Sequence, residues 1–182
     1  MKGIVFNVLE GMVIEKAGME GWDQLLNEVN PDSQGIYTAG KSYPDEELLA
    51  FVTTASEKFN IPVPDLVQAF GDYLFDQLAA KYPVFLEQEP TFFGFLQSVH
   101  DVIHVEVSKL YQEPSLPEFQ TKRLSDQVLL MKYRSPRKFC MLAEGLIAGA
   151  ARHYGVNYQL EHSPCMHQGS DHCLFKITQE SA

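Results

Sequence analysis

The apolar positions change period once along this chain, and that change predicts its architecture. Ile4, Val5, Val8, Leu9, Met12 and Val13 recur at helical spacing over residues 1–18, with Gly18 as a stop. Trp22 to Val29 reads as a second short helix ended by Asn30 and Pro31, and residues 32–43, rich in turn formers, read as loop. Pro44 followed by Asp45, Glu46 and Glu47 is a helix first turn, with Leu48, Leu49, Phe51 and Val52 behind it. Pro64-Asp65 opens the next helix, which runs through Leu66, Val67, Phe70, Leu74, Phe75 and Leu78 and closes at Tyr82-Pro83. Thr91 to Tyr111 forms another helical pattern on Phe92, Leu96, Val99, Ile103 and Leu110, although Val102 to Val107 also alternates like a strand. After a proline-bearing linker, Glu113 to Pro117, the period shifts towards two. Val128 to Lys132, Val156 to His162 and Cys173 to Thr178 read as strands, the last two joined by a turn containing Gly169. Lys138 to Tyr154 is a buried helix of Leu, Ile, Ala and Gly with Gly155 at its C-cap. The expected class is α+β. A helical N-terminal subdomain, residues 1–60, precedes residues 61–182, with further helices and an antiparallel sheet, in one domain.

Two groups of residues carry chemistry on this frame. In an extended segment Tyr133, Ser135 and Arg137 point the same way, which places a phenol, a hydroxyl and a guanidinium in one row suited to gripping carboxylates. The row leads into the helix from Lys138, whose N-terminus adds donors for anions. Upstream, His104 lies on an apolar pattern with Phe93 and Val107 on the same side. His100, one turn earlier, is the rival, but Gln97 and Asp101 make it look more solvated. Each feature alone reads as an ordinary histidine or a strand edge facing water. Together they suit haem, a flat apolar macrocycle with two propionates and an iron in need of an axial ligand.

The second group is Cys140, Cys165 and Cys173 with His162, for which His167 and His172 compete. Thiolate and imidazole are what tetrahedral zinc selects, and four protein ligands make such a site structural. Three unrelated reduced thiols are the alternative. An odd number of cysteines fits a reducing, cytoplasmic setting. A formal net charge of −10 and a pI near 5.0 argue against nucleic acid and anionic membrane surfaces as partners. No apolar run approaches the roughly 18 residues of a spanning helix. The acids Asp45-Glu46-Glu47, and Glu161 near Asp171, read as a helix first turn and a solvated surface. Phosphate-binding loops and GxSxG are absent from the sequence. Two other classes compete with a haem protein: a small zinc-dependent hydrolase using His162, Cys165 and Cys173, which lacks an obvious general base, and a thiol-based redox sensor without haem.

With its Tyr133-x-Ser135-x-Arg137 signature, the Phe92-Phe93-Gly94-Phe95-Leu96 segment running to His104, Met1-Lys2-Gly3 and the Leu116-Pro117 linker, the chain resembles the haem nitric oxide/oxygen-binding (H-NOX) family. The resemblance implies haem b between the helical part and the sheet. His104 is its axial ligand, Tyr133, Ser135 and Arg137 hold its propionates, and Pro117 lies on its wall. In that family nitric oxide weakens the bond from iron to histidine and releases the helix bearing it. Oxygen-binding members carry a distal tyrosine where this chain has Leu142, and another polar distal position appears here as Leu74. Val5, Leu74, Leu78, Leu142 and Leu146 are thus expected to line an apolar distal pocket that favours nitric oxide and carbon monoxide over oxygen. Some bacterial members hold zinc at a similar cysteine and histidine cluster. Stand-alone bacterial members have no catalysis of their own and regulate a histidine kinase or a cyclic-di-GMP enzyme. The same arrangement is expected here, since the chain ends at Ala182 just past the last strand.

Overall fold

The computed structural model describes residues 1–106 and 116–180. Helix α1 spans Gly3–Val29 and buries Phe6, Leu9, Val13, Trp22 and Leu25 along one side. Gly18 departs from helical geometry, at φ 75° and ψ 173°, so the expected stop is a kink. That break divides α1 into two helical segments, so the expected stop at Gly18 and a second helix ending at Val29 are both present, the second carrying Trp22 and Leu25. Helix α2, Asp45–Phe59, carries its three acids in the first turn, where the positive end of the helix dipole favours them. Helix α3 is Val63–Lys81, and a single turn, α4, follows at Val84–Glu87. Helix α5, Phe92–Ser98, is capped by Thr91, whose Oγ1 accepts from the Gly94 amide at 3.1 Å.

The continuous α-helix expected over 91–111 changes character midway. Residues Val99–His104 form a π-helical turn, neither the α-helical nor the strand alternative that apolar spacing suggests. Such widened turns concentrate at functional sites, because the extra residue re-aims the side chains that follow. Val107, Leu110, Tyr111 and linker residues 113–115 lie outside the described residues.

The sheet has strand order β1-β2-β4-β3, antiparallel throughout. Strand β1 is Glu118–Arg123, β2 Val128–Arg134, β3 Tyr158–His162 and β4 Cys173–Gln179. Strand β1 escapes the sequence pattern because it is an edge strand in which only Phe119 is buried. The register sets Phe119 opposite Tyr133, and Tyr133 opposite Cys173, in one cross-strand row. Helix α6, Cys140–His153, ends at Tyr154, with Gly155 at φ 64° one residue beyond.

Two apolar cores result. The first joins Phe6, Leu9, Trp22, Leu25, Leu48 and Phe51 to Phe70 and Leu74 of α3. The second sets Phe92, Phe93 and Leu96 with Ala143, Ile147 and Ala150 of α6 against Leu129, Met131, Phe175 and Ile177 of the sheet. Helix α6 spans both, and its Leu146 packs against each. It reaches α3 through a glycine-to-glycine approach at Gly71 and Gly145. Among the described residues no helix is long and apolar enough to cross a membrane.

Candidate haem site and cysteine cluster

His104 ends the π turn, and its ring packs on Phe119 at 5.7 Å between centroids. Burial, with a smaller push from His100, lowers its pKa to about 4 against an opposing bond to the Pro117 backbone. The imidazole is therefore neutral near pH 7, the protonation state a metal ligand requires. Pro117 thus orients the candidate ligand. His100 lies 6.2 Å from His104, and its Nδ1 accepts from the Phe119 amide at 3.5 Å.

Phe119 in turn packs on Tyr133 at 5.4 Å. Tyr133 is buried, and burial pushes its hydroxyl up to about 12, so it remains a donor at neutral pH. The row expected from strand alternation is only partly a strand. β2 stops at Arg134, and Ser135 and Arg137 lie in the turn that follows. Ser135 is buried, and its Oγ accepts from the Arg137 amide at 3.3 Å, so it shapes the turn that presents the arginine.

The guanidinium Nε of Arg137 donates to Asp45 Oδ2, a carboxylate ninety-two residues away in sequence. Asp45 Oδ1 takes the amino-terminal nitrogen of Met1 at 2.5 Å, and the same nitrogen donates to the Tyr43 carbonyl at 2.7 Å. Asp45 is thus more than a helix first-turn acid, because it ties α1, α2 and the turn after β2 together. The sequence holds no signal for this, since the partners meet only through the fold. Burial works against the ionised carboxyl, but the amino terminus and Arg137 outweigh it and hold Asp45 below its usual range. A carboxylate with a depressed folded pKa contributes stability that is present above about pH 4 and lost as pH falls through the folded value. In thermal melts between about pH 5 and 3, Asp45→Asn should lower Tm most at the upper end and converge with wild type at the lower end.

The five expected distal residues fall in one group. Leu74 is buried in the first core, and Val5, Leu78, Leu142 and Leu146 pack against it as partly buried side chains. Phe119 and Tyr133 belong to the second core. A neutral, partly buried imidazole packs on Phe119 and the buried Tyr133 belongs to the second core. Ser135 and Arg137 follow in the turn that Asp45 ties to α2, and a wall of aliphatic side chains stands with the first core. This donor set fits haem, whose iron wants the imidazole, whose propionates want the hydroxyls and guanidinium, and whose faces want the leucines.

A second cluster lies at the start of α6. Cys140 and Cys173 are fully buried and Cys165 nearly so. Cys165 Sγ is 4.0 Å from Cys140 Sγ and 3.9 Å from Cys173 Sγ. With His162, the ligand atoms all lie within 4.8 Å of one another. A tetrahedron with metal–sulfur bonds of about 2.3 Å has edges of about 3.8 Å, so the sulfurs are spaced as zinc ligands, and too far apart for disulfides. Burial, then the neighbouring sulfurs, pushes the Cys140 thiol up. Burial likewise raises Cys173, whose Sγ accepts from the Met166 amide at 3.2 Å. His162 Nε2 is buried with no hydrogen-bond partner, while Nδ1 lies 2.5 Å from Glu144 Oε1. The rival histidines are engaged elsewhere: His167 Nε2 lies 2.8 Å from the Lys138 carbonyl and His172 Nδ1 2.5 Å from Asp171.

The chain is similar to known proteins. A family model described as haem-NO-binding matches residues 2–162. An H-NOX protein from Shewanella oneidensis, crystallised in the Fe(II)NO ligation state, is 41% identical with a TM-score of 0.94, and each chain is fully covered. The IWP-051-bound H-NOX from Shewanella woodyi, in the Fe(II)CO ligation state, is 35% identical with a TM-score of 0.87, covering 99% of this chain and 95% of that one. The Fe(II) unliganded H-NOX protein from K. algicida is 26% identical with a TM-score of 0.92, covering 100% and 98%. The partly buried imidazole, the Tyr133-Ser135-Arg137 turn and these matches lead to one conclusion: the chain belongs to the haem-NO-binding family, the H-NOX proteins.

Proposed function

We propose that this chain is a haem-based sensor of nitric oxide, without catalysis of its own, that regulates a partner signalling enzyme. The observation that carries the reading is the neutral, partly buried His104 at the end of a π turn, in ring contact with the row that leads to Tyr133. Haem, when bound, would supply an iron able to take a diatomic gas. His104 holds the iron from the proximal side, with Pro117 fixing its ring. Tyr133, Ser135 and Arg137 would grip the propionates, with Nε of Arg137 also tied to Asp45. Val5, Leu74, Leu78, Leu142 and Leu146 line the gas side with methyl groups. They offer no hydrogen bond to a partly negative oxygen ligand, which favours nitric oxide and carbon monoxide.

Loss of the iron–His104 bond on nitric oxide binding would be the switch, since His104 is the side chain through which the haem would hold its helix. The helix that carries it has a distorted turn and exposed apolar side chains at Val102 and Val105. This makes it a two-state element biased by one ligand bond, and a face for a histidine kinase or a cyclic-di-GMP enzyme. Cys140, His162, Cys165 and Cys173 hold a structural zinc ion that braces the start of α6 against the sheet.

The ferrous absorption spectrum, with and without nitric oxide, tests the haem reading. A Soret band that shifts with nitric oxide to the form lacking a histidine ligand is expected. A colourless protein after haem reconstitution would sink the haem assignment. Retention of the histidine in the nitric oxide complex would sink the release step, and a stable oxygen complex in air would sink the gas preference.

A further inference from the structure

We infer that Glu144 is the positioning residue of the cysteine–histidine centre, holding His162 so that its Nε2 faces the three sulfurs. The inference rests on the zinc reading proposed above and goes beyond the four ligands to the residue that aims one of them.

The geometry is specific. Glu144 and His162 are both largely buried, with side chains 17% and 15% exposed, and Oε1 lies 2.5 Å from Nδ1. A carboxylate accepting from Nδ1–H leaves the lone pair on Nε2, and Nε2 is the buried nitrogen with no partner of its own. One ring nitrogen of His162 lies within 4.8 Å of every cysteine sulfur in the cluster, and with Nδ1 held by Glu144 the nitrogen left for a metal is Nε2. His162 also packs on Phe175 at 4.6 Å between centroids, which restricts ring rotation but does not choose between the two nitrogens. The carboxylate makes that choice.

Placement on α6 adds a second reason. Cys140 and Glu144 are four residues apart and share one face of the helix, so one rigid element sets both a ligand and the group that aims another. Leu142 and Leu146 lie two residues further round, on the face that packs against the first core. Helix α6 thus carries the cysteine–histidine centre on one side and the gas-side leucines on the other.

Cobalt(II) and zinc(II) titrations of the reduced full chain, wild type against Glu144→Ala and Glu144→Gln, test the inference. Cobalt reports the ligand set by its visible bands, and zinc affinity follows from competition with a chromophoric chelator. Glu144→Ala should bind zinc about 10–100-fold more weakly, the usual effect of removing an outer-shell partner, and should shift the cobalt bands as the nitrogen ligand is lost. Glu144→Gln, whose amide oxygen can still accept from Nδ1–H, should stay near wild type in both. A loss of packing alone would lower the thermal stability of the metal-free alanine variant without moving the cobalt bands. Wild type binding cobalt through three sulfurs and one nitrogen, with Glu144→Ala unchanged in bands and affinity, overturns the positioning role and leaves the zinc centre standing. Wild type binding neither metal overturns the centre itself, and this inference with it.

Discussion

His104→Ala is expected to lower haem affinity by more than about a hundredfold and to abolish the nitric oxide response. Outer-shell partners of metal ligands are each worth about 10–100-fold in affinity, so removal of the ligand exceeds that range. The substitution removes a partly buried ring that packs on Phe119 and bonds to the Pro117 backbone. Among the described residues no neighbouring side chain is a ready substitute. His100 lies 6.2 Å away by ring centroid, and its Nδ1 already accepts from the Phe119 amide. Haem titration followed at the Soret band measures the loss, and added imidazole, small enough to enter the space vacated, should restore part of the ferrous spectrum. An unchanged spectrum would transfer the ligand role to another residue, which His100→Ala would then identify.

The largest stability effect is expected at Gly145. A Cβ there would overlap the Gln68 carbonyl oxygen and lie 2.8 Å from both the Asp72 amide nitrogen and the Gly71 Cα. These are backbone atoms of α3, so the clash is relieved only by moving one helix from the other. Gly145→Val should destabilise by about 3 kcal/mol, at the upper end of the overpacking range. For a chain of this size that corresponds to a fall in Tm of about 6–12 °C. The separation would also shift Leu142 and Leu146 relative to Leu74, so a changed carbon monoxide spectrum should accompany the loss. Gly11→Ala is the control. Its Cβ would meet nothing closer than the Tyr73 hydroxyl at 3.8 Å, and exchange of a helical glycine for alanine there should be neutral or gain up to about 1 kcal/mol. Equal melting temperatures for Gly145→Val and wild type would show that this helix crossing is not tight.

Much of the fold was legible because apolar periodicity and capping are local. Helices α2, α3 and α6 and strands β2, β3 and β4 fall close to the expected ranges, since the helices are bounded by Pro, Gly or Asn and β2 and β4 alternate buried with partly buried residues. Strand β1 was not legible, because Glu, Gln, Thr, Lys and Arg around a single buried Phe119 leave no alternating face. The π turn was missed because α and π turns share nearly the same apolar spacing over six residues. Asp45 and Glu144 were missed because an acid in a first turn and an acid in mid-helix look like solvated groups. Arg137 and His162 come to them only through the fold.

The residues by themselves determined the α+β class, the identity of the candidate axial histidine and the Tyr133-Ser135-Arg137 motif, since these depend on residue type and short spacing. Only the tertiary structure decided that His162, and not His167 or His172, faces the three sulfurs, that Ser135 and Arg137 leave the strand, and that one helix serves both cores. The physical reason is range. Spacing along a chain constrains what lies within a turn or two, whereas a tetrahedral cluster or a buried ion pair depends on packing contacts between segments far apart in sequence.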